Sequence, residues 1–198
     1  MNEIVFKIIF AALFIIYILI RVPFDKEYKQ IEKIKTLNSL TEKVLLILMS
    51  IGLLFIPLIW LFTPFLNDFK IEFPVWLRIV GITISIISLF YFRWIHKTLG
   101  ANWSPTIEIR KGHQLIKTGP FKRIRHPMYL QIWLWTISQV LIVSNLFAGF
   151  SGIIVWSILY FIRVPKEEKM MIDYFGDDYI EYMKQTGRVF PKRNGTKR

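Results

Sequence analysis

The sequence predicts an all-α integral membrane protein, and three observations carry that expectation. Hydrophobic residues make up 54% of the 198-residue chain and the mean hydropathy is +0.42. The apolar residues gather into long runs at roughly 4–20, 44–66, 73–95, 128–143 and 146–162. All but three of the 26 basic residues (Lys7, Arg78 and Arg93) fall outside those runs. A membrane crossing takes about 20 apolar residues at about 1.5 Å each, so the first three runs are long enough to span. The last two, of 16 and 17 residues, are parted only by Ser144-Asn145 and read as a tight helical hairpin, the polar pair and Gly149 favouring a turn over one helix of 35 residues. Five membrane helices follow, with a cytosolic lid segment and a C-terminal cytosolic helix.

The N-terminus begins Met1-Asn2-Glu3 without a basic leader or a small-residue cleavage site, and reads as a first helix that is retained. Residues 25–43 are lysine-rich and of mixed charge, a helix or loop on the membrane surface. Pro57, Pro64 and Pro74 kink or bound helices two and three. Between the third and fourth runs, Ile107-Glu108-Ile109-Arg110, Lys111-Gly112 and Gln114-Leu115-Ile116-Lys117 alternate about a glycine and suggest a small hairpin-like lid within 97–126. Beyond the fifth run, residues 165–187 suggest a helix with Pro165 in its first turn, Glu167 and Glu168 at its N-terminal dipole and Gly187 after its end. Two regions result: 1–66, with helices one and two and the basic loop, and 67–198, a catalytic region holding helices three to five, the lid and the tail.

Charge fixes an expected orientation. Of the 26 Lys and Arg, six lie in 21–43, eight in 93–125 and nine from Arg163 onward, leaving Lys7, Lys70 and Arg78 at the other face. The positive-inside rule then puts the N-terminus outside and the C-terminus in the cytosol of a cell-membrane protein, the same partition that five alternating spans give. The net charge of +12 comes with no nucleic-acid-binding signature, so no nucleic-acid partner is expected. With no cysteine and three scattered histidines (His96, His113 and His126), neither thiolate chemistry nor a metal site is expected. No Rossmann fingerprint or P-loop occurs.

Two constellations carry chemistry. In Gly119-Pro120-Phe121-Lys122-Arg123-Ile124-Arg125-His126-Pro127-Met128-Tyr129, Pro127 opens the fourth helix and its free N–H groups form a seat for a carboxylate or phosphate. Lys122, Arg123 and Arg125 read first as membrane anchors, whereas anchoring calls for neither His126 nor Tyr129. In Arg163-Val164-Pro165-Lys166-Glu167-Glu168, Arg163 closes the fifth helix and an acidic pair follows. Carboxylates at a membrane boundary are costly unless partnered, and one accepts the two hydrogen bonds of a ribose diol well. The alternative is the acidic start of a surface helix. His96 reads as an interfacial residue, and Trp133, Trp135 and Trp156 as packing or lipid-facing groups.

Taken together, Gly112-His113-Gln114-Leu115-Ile116, Thr118-Gly119-Pro120-Phe121, Arg125-His126-Pro127-Met128-Tyr129, Glu167-Glu168, Phe175-Gly176, Tyr179, Tyr182 and Phe190-Pro191 resemble, in order and spacing, the isoprenylcysteine carboxyl methyltransferase family, especially its small archaeal and bacterial five-span members. The resemblance spans about residues 102–191 and implies S-adenosylmethionine as methyl donor, with S-adenosylhomocysteine as product. Carried over by position, His113, Gln114, Leu115, Ile116, Phe121, His126, Pro127, Met128, Tyr129 and Glu167 line the cofactor pocket, and Arg163 meets the substrate carboxylate. Phe121 stands where eukaryotic members have tyrosine, and the family's glutamine upstream of the lid has Thr106 or Glu108 as its nearest counterpart. The implied partners are the bilayer and a prenylated or other lipidic carboxylate. Methylation of a phospholipid amine is the enzymatic alternative and requires a base to deprotonate the acceptor. A membrane reductase with a related pocket and a non-enzymatic transporter are further alternatives.

Overall fold

The computed structural model describes residues 2–28, 32–36, 40–104 and 106–192. Parts of the basic loop, 29–31 and 37–39, and the end of the tail, 193–198, lie outside the described residues. Helix α1 runs Glu3–Tyr28. Helix α2, Leu40–Ser50, passes through a π turn, Ile51–Phe55, into α3, Ile56–Phe62. The wide turn falls where Pro57 has no N–H to offer the preceding turn, which is the usual origin of such a bulge. Helix α4 is Val75–Leu99, with Pro74 at its cap; α5 is Pro127–Val143, α6 Leu146–Phe175 and α7 Asp177–Gln185.

Small and polar residues bring these helices together, as expected where lipid gives no hydrophobic drive to helix association. Helices α4 and α5 run antiparallel: Arg78 donates to the Ile142 carbonyl, Ser85 to Ser138 at 2.7 Å, and Gln131 to Ser88 at 3.0 Å. Their backbones close at Gly81, where a Cβ would stand 2.7 Å from Leu141 Cβ. The α5–α6 hairpin turns on Ser144, in the left-handed conformation, and Asn145, whose side-chain oxygen accepts from the Phe147 and Ala148 N–H groups. That turn matches the sequence expectation. Helix α1 lies parallel to α4 and is pinned at one end by Glu3 on Arg78 at 2.8 Å, with the Arg78 guanidinium 3.5 Å from the Phe6 ring centre. Further along, Tyr17 stacks on Phe92 at 4.5 Å.

The structure changes several sequence expectations. Four helical stretches are long and apolar enough to cross a membrane: Glu3–Phe24, Leu40–Phe62, Val75–Leu99 and Leu146–Phe175. The fifth apolar helix, Pro127–Val143, has 17 residues and falls short on length, so that criterion gives four spans where five were expected. The fold is helical but not wholly so. Strand β1, Lys33–Thr36, pairs antiparallel with β2, Glu108–Arg110. The alternation around Gly112 therefore marks one strand, and its partner is the basic loop rather than residues 114–117. Helix α6 does not close at Arg163. It runs 30 residues with Pro165 inside, because Val164, Glu168 and Met170 are buried and hold the continuation in place. The expected tail helix 165–187 is thus the end of α6 plus a separate α7, divided at Gly176 with φ of 57°. His96 is fully buried rather than interfacial, enclosed by the rings of Phe24, Phe92 and Trp103 at 4.4–4.8 Å.

Candidate functional site

A cavity of about 230 Å³ opens where α4 ends, α5 begins and α6 continues beyond the bundle. Every residue to which the family resemblance assigns a cofactor or acceptor role lines it: His113, Gln114, Leu115, Ile116, Phe121, His126, Pro127, Met128, Tyr129, Arg163 and Glu167. Its lining mixes two chemistries. Met49, Phe92, Ile132 and Trp156 are apolar, while Asn102, Thr106, Glu108 and Arg125 are polar or charged.

His126 caps α5 and is 5% exposed. Its Nε2 lies 3.2 Å from Glu168 Oε1, and that oxygen is also 2.6 Å from Arg125 Nε. Arg188 reaches the same carboxylate, with Nη2 2.8 Å from Oε2. The carboxylate hydrogen bond holds Arg188 above its ordinary pKa. Three cationic or potentially cationic groups thus converge on one buried glutamate, which is how charge is tolerated away from water. Backbone bonds add a strap: the Arg125 N–H donates to the Gly187 carbonyl and the His126 N–H to that of Arg188, both at 2.9 Å. The segment 186–188 is tied across the start of α5. Tyr182 reinforces it by donating to the Phe121 carbonyl at 2.6 Å, and burial raises Tyr182 above the ordinary tyrosine range, so the hydroxyl keeps its proton.

One turn into α5, the Tyr129 hydroxyl donates to Glu167 Oε2, while His126 Nδ1 stands 3.8 Å from Oε1. The rings of His126 and Tyr129 stack at 5.2 Å. Arg163, one turn before Glu167 on the same helix face, is buried along the same wall, with Nη2 3.5 Å from Glu42 Oε1. Opposite them, the segment from 100 to 118 is held by the Gln114 N–H on Asn102 Oδ1 at 2.8 Å and by a chain from Lys33 through Glu108 to Thr106, at 3.0 and 2.8 Å. The arrangement joins titratable, hydrogen-bonding side chains to buried apolar ones in one lining. Such a cavity suits a polar ligand beside a lipidic one. Among the described residues, no group of three His, Asp or Glu side chains converges as a metal site.

The matching comparisons fall on this site. Residues 80–173 match the model of the isoprenylcysteine carboxyl methyltransferase family. That segment, just under half of the chain, is similar to this family. Among curated relatives, the human protein-S-isoprenylcysteine O-methyltransferase is 27% identical over 125 residues, 62% of this chain and 44% of the relative. Protein-S-isoprenylcysteine O-methyltransferase B of Arabidopsis thaliana is 27% identical over 119 residues, 59% of this chain and 60% of its own length. The Saccharomyces cerevisiae enzyme is 29% identical over 116 residues, 57% and 48% respectively. The chain therefore spans about half the length of the relatives it matches. A solved structure of the eukaryotic intramembrane Ras methyltransferase of this family superposes with a TM-score of 0.52 at 22% identity, covering 78% of this chain and 53% of that one, which establishes a common fold.

Several residues that line the cavity were not legible from the sequence. Tyr17, Arg21, Leu46 and Met49 line the cavity from helices that precede the family-matched segment. Only helix packing brings them there. Arg125 and Glu168 were read as an anchor and a second acid, whereas the structure joins them as the support beneath His126. Trp156, read as packing, lines the cavity with a buried indole N–H that has no hydrogen-bond partner among the described residues. Thr106 and Glu108 both reach the cavity, as does Asn102, which also carries a side-chain amide upstream of the strand.

Proposed function

We propose that this chain is an S-adenosylmethionine-dependent membrane methyltransferase that esterifies the α-carboxylate of a prenylated cysteine or a similar amphipathic carboxylate. What supports the reading is the convergence of all eleven family-matched positions on one cavity with polar and apolar lining residues. His113 to Ile116, Phe121, His126 to Tyr129 and Glu167 would hold the cofactor, and Arg163 the acceptor. The donor set suits such a cofactor: a carboxylate for a diol, and aromatic faces at His126 and Tyr129 for a flat or cationic group. When bound, S-adenosylmethionine supplies an electrophilic methyl group on a sulfonium.

The residues then have little acid–base chemistry to perform. An α-carboxylate has a pKa near 3.5 and is ionised at neutral pH, so no general base is needed. The protein's task is placement, for which alignment of the reacting atoms is worth several kcal/mol of barrier. Arg163 fixes the carboxylate through paired donors, and its hold must favour the reacting geometry over the resting one to raise the rate. An amine acceptor would require a base, and the groups nearest are committed: Glu167 to Tyr129, and His126 to Glu168. In the membrane, the distribution of Lys and Arg supports a cytosolic cavity and an external N-terminus, with α5 as a fifth crossing sheltered by its neighbours. Residues 67–198 supply most of the site, and 1–66 complete its lining.

The test is binding and turnover of the purified protein in detergent. S-adenosylhomocysteine is expected to bind the wild type and to be weakened in Glu167→Ala and His126→Ala. Labelled methyl is expected on a farnesylated cysteine with a free carboxylate, as a base-labile ester, and Arg163→Ala is expected to abolish it. Absence of cofactor binding by wild type, or transfer to a phospholipid amine instead, overturns the reading.

A further inference from the structure

We infer that Glu42 is a positioning residue for the acceptor site, holding Arg163 from behind and joining it to the strand that covers the cavity; this rests on Arg163 meeting the acceptor carboxylate. Glu42 lies in the first turn of α2, outside the family-matched segment. It is 8% exposed although it stands at the end of an apolar helix. A carboxylate in that setting is costly unless partnered. Its Oε1 accepts from the Ile107 N–H at 3.2 Å and lies 3.5 Å from Arg163 Nη2.

The placement separates its role from that of a ligand-binding group. Arg163 and Ile107 line the large cavity, whereas Glu42 lines only a small crevice behind them, together with Lys166 and Leu159. Glu42 thus acts through Arg163 rather than on the acceptor. A guanidinium on a long side chain has many rotamers, and restraining this cavity-lining one from one side lowers the entropy lost on binding. The same oxygen holds Ile107, the residue that leads into β2, and β2 is paired with β1 a few residues before α2 begins. Through one carboxylate, the segment over the cavity and the arginine beneath it are held to the same helix.

The experiment compares Glu42→Ala and Glu42→Gln in the intact detergent-purified chain saturated with S-adenosylhomocysteine. Kd is measured for a farnesylated cysteine and for its neutral carboxamide, and the ratio reports recognition of the carboxylate alone. Wild type is expected to favour the carboxylate by about tenfold or more, a charge-assisted preference. Glu42→Ala is expected to erase most of that preference, and Glu42→Gln, which keeps an oxygen for both donors, to retain most of it. The Kd for S-adenosylhomocysteine stays within about twofold in both variants, well under the change a lost buried contact produces. A preference unchanged or larger in Glu42→Ala overturns the inference, as does a parallel loss of cofactor affinity in Glu42→Gln, which signals general support of the fold. If Glu42→Ala cannot be obtained folded, loss of the preference in Glu42→Gln equal to that in Arg163→Ala also overturns it, because positioning predicts rescue. If wild type itself shows no preference, the carboxylate role of Arg163 fails, and the inference fails with it.

Discussion

Replacing Glu168 with glutamine tests the buried network beneath His126. The side chains of Glu168 and Arg125 are 6% and 9% exposed, and the two are joined at 2.6 Å. Neutralising the glutamate leaves a buried guanidinium without its counter-charge, and breaking such a pair costs about 3–5 kcal/mol. Glutamine keeps one oxygen, and Arg125 keeps the Thr186 carbonyl at 2.8 Å, which places the expected loss near the lower end, at about 3 kcal/mol. Arg188 meets the same carboxylate but its side chain is 48% exposed, so Arg188→Ala should cost about 1 kcal/mol or less. For a chain of this size each kcal/mol moves Tm by about 2–4 °C, so Glu168→Gln should fall by about 6–12 °C and Arg188→Ala by less than about 4 °C. Tryptophan fluorescence during thermal unfolding in detergent reads both. Equal shifts for the two variants, or a Glu168→Gln change under about 2 °C, would refute the claim that burial sets the strength of this network.

Three further expectations follow from the same geometry. Tyr129→Phe removes the donor to Glu167, a bond to a charged and partly exposed group, and should weaken S-adenosylhomocysteine binding about tenfold by calorimetry while leaving Tm nearly unchanged. Arg78→Ala, at the far end of the bundle, leaves Glu3 and the Ile142 carbonyl without their donors; Tm should drop by several degrees with cofactor affinity unaltered, and altered affinity would show that the two ends are coupled. Burial raises the folded-state pKa of Tyr182 above its ordinary value of 10.0, so the stability from its neutral hydroxyl is fully present below pH 10 and is lost above it. Unfolding midpoints at pH 8 and about pH 10.5 should therefore differ less in Tyr182→Phe than in wild type, and an equal difference would remove Tyr182 from the account.

The membrane setting, the main helices and the candidate residues that gather at one cavity were legible in the sequence. Those are local quantities. Bilayer thickness dictates the length of an apolar run, Ser144-Asn145 is its own turn signal, and Pro74 suits a helix start. The motif residues from His113 to Glu167 are named by order and spacing, which need no coordinates. Tertiary structure decided what depends on partners distant in sequence. Three residues at Glu108–Arg110 form a strand only because Lys33–Thr36 lies beside them. Helix α6 passes Pro165 because Val164, Glu168 and Met170 find buried neighbours, a gain that outweighs one missing backbone bond. Arg163 was legible as a candidate, but Glu42 behind it comes from a helix more than a hundred residues earlier in the chain. Local patterning governs each element's existence, while long-range packing and the pairing of buried charge govern which of those elements share a site.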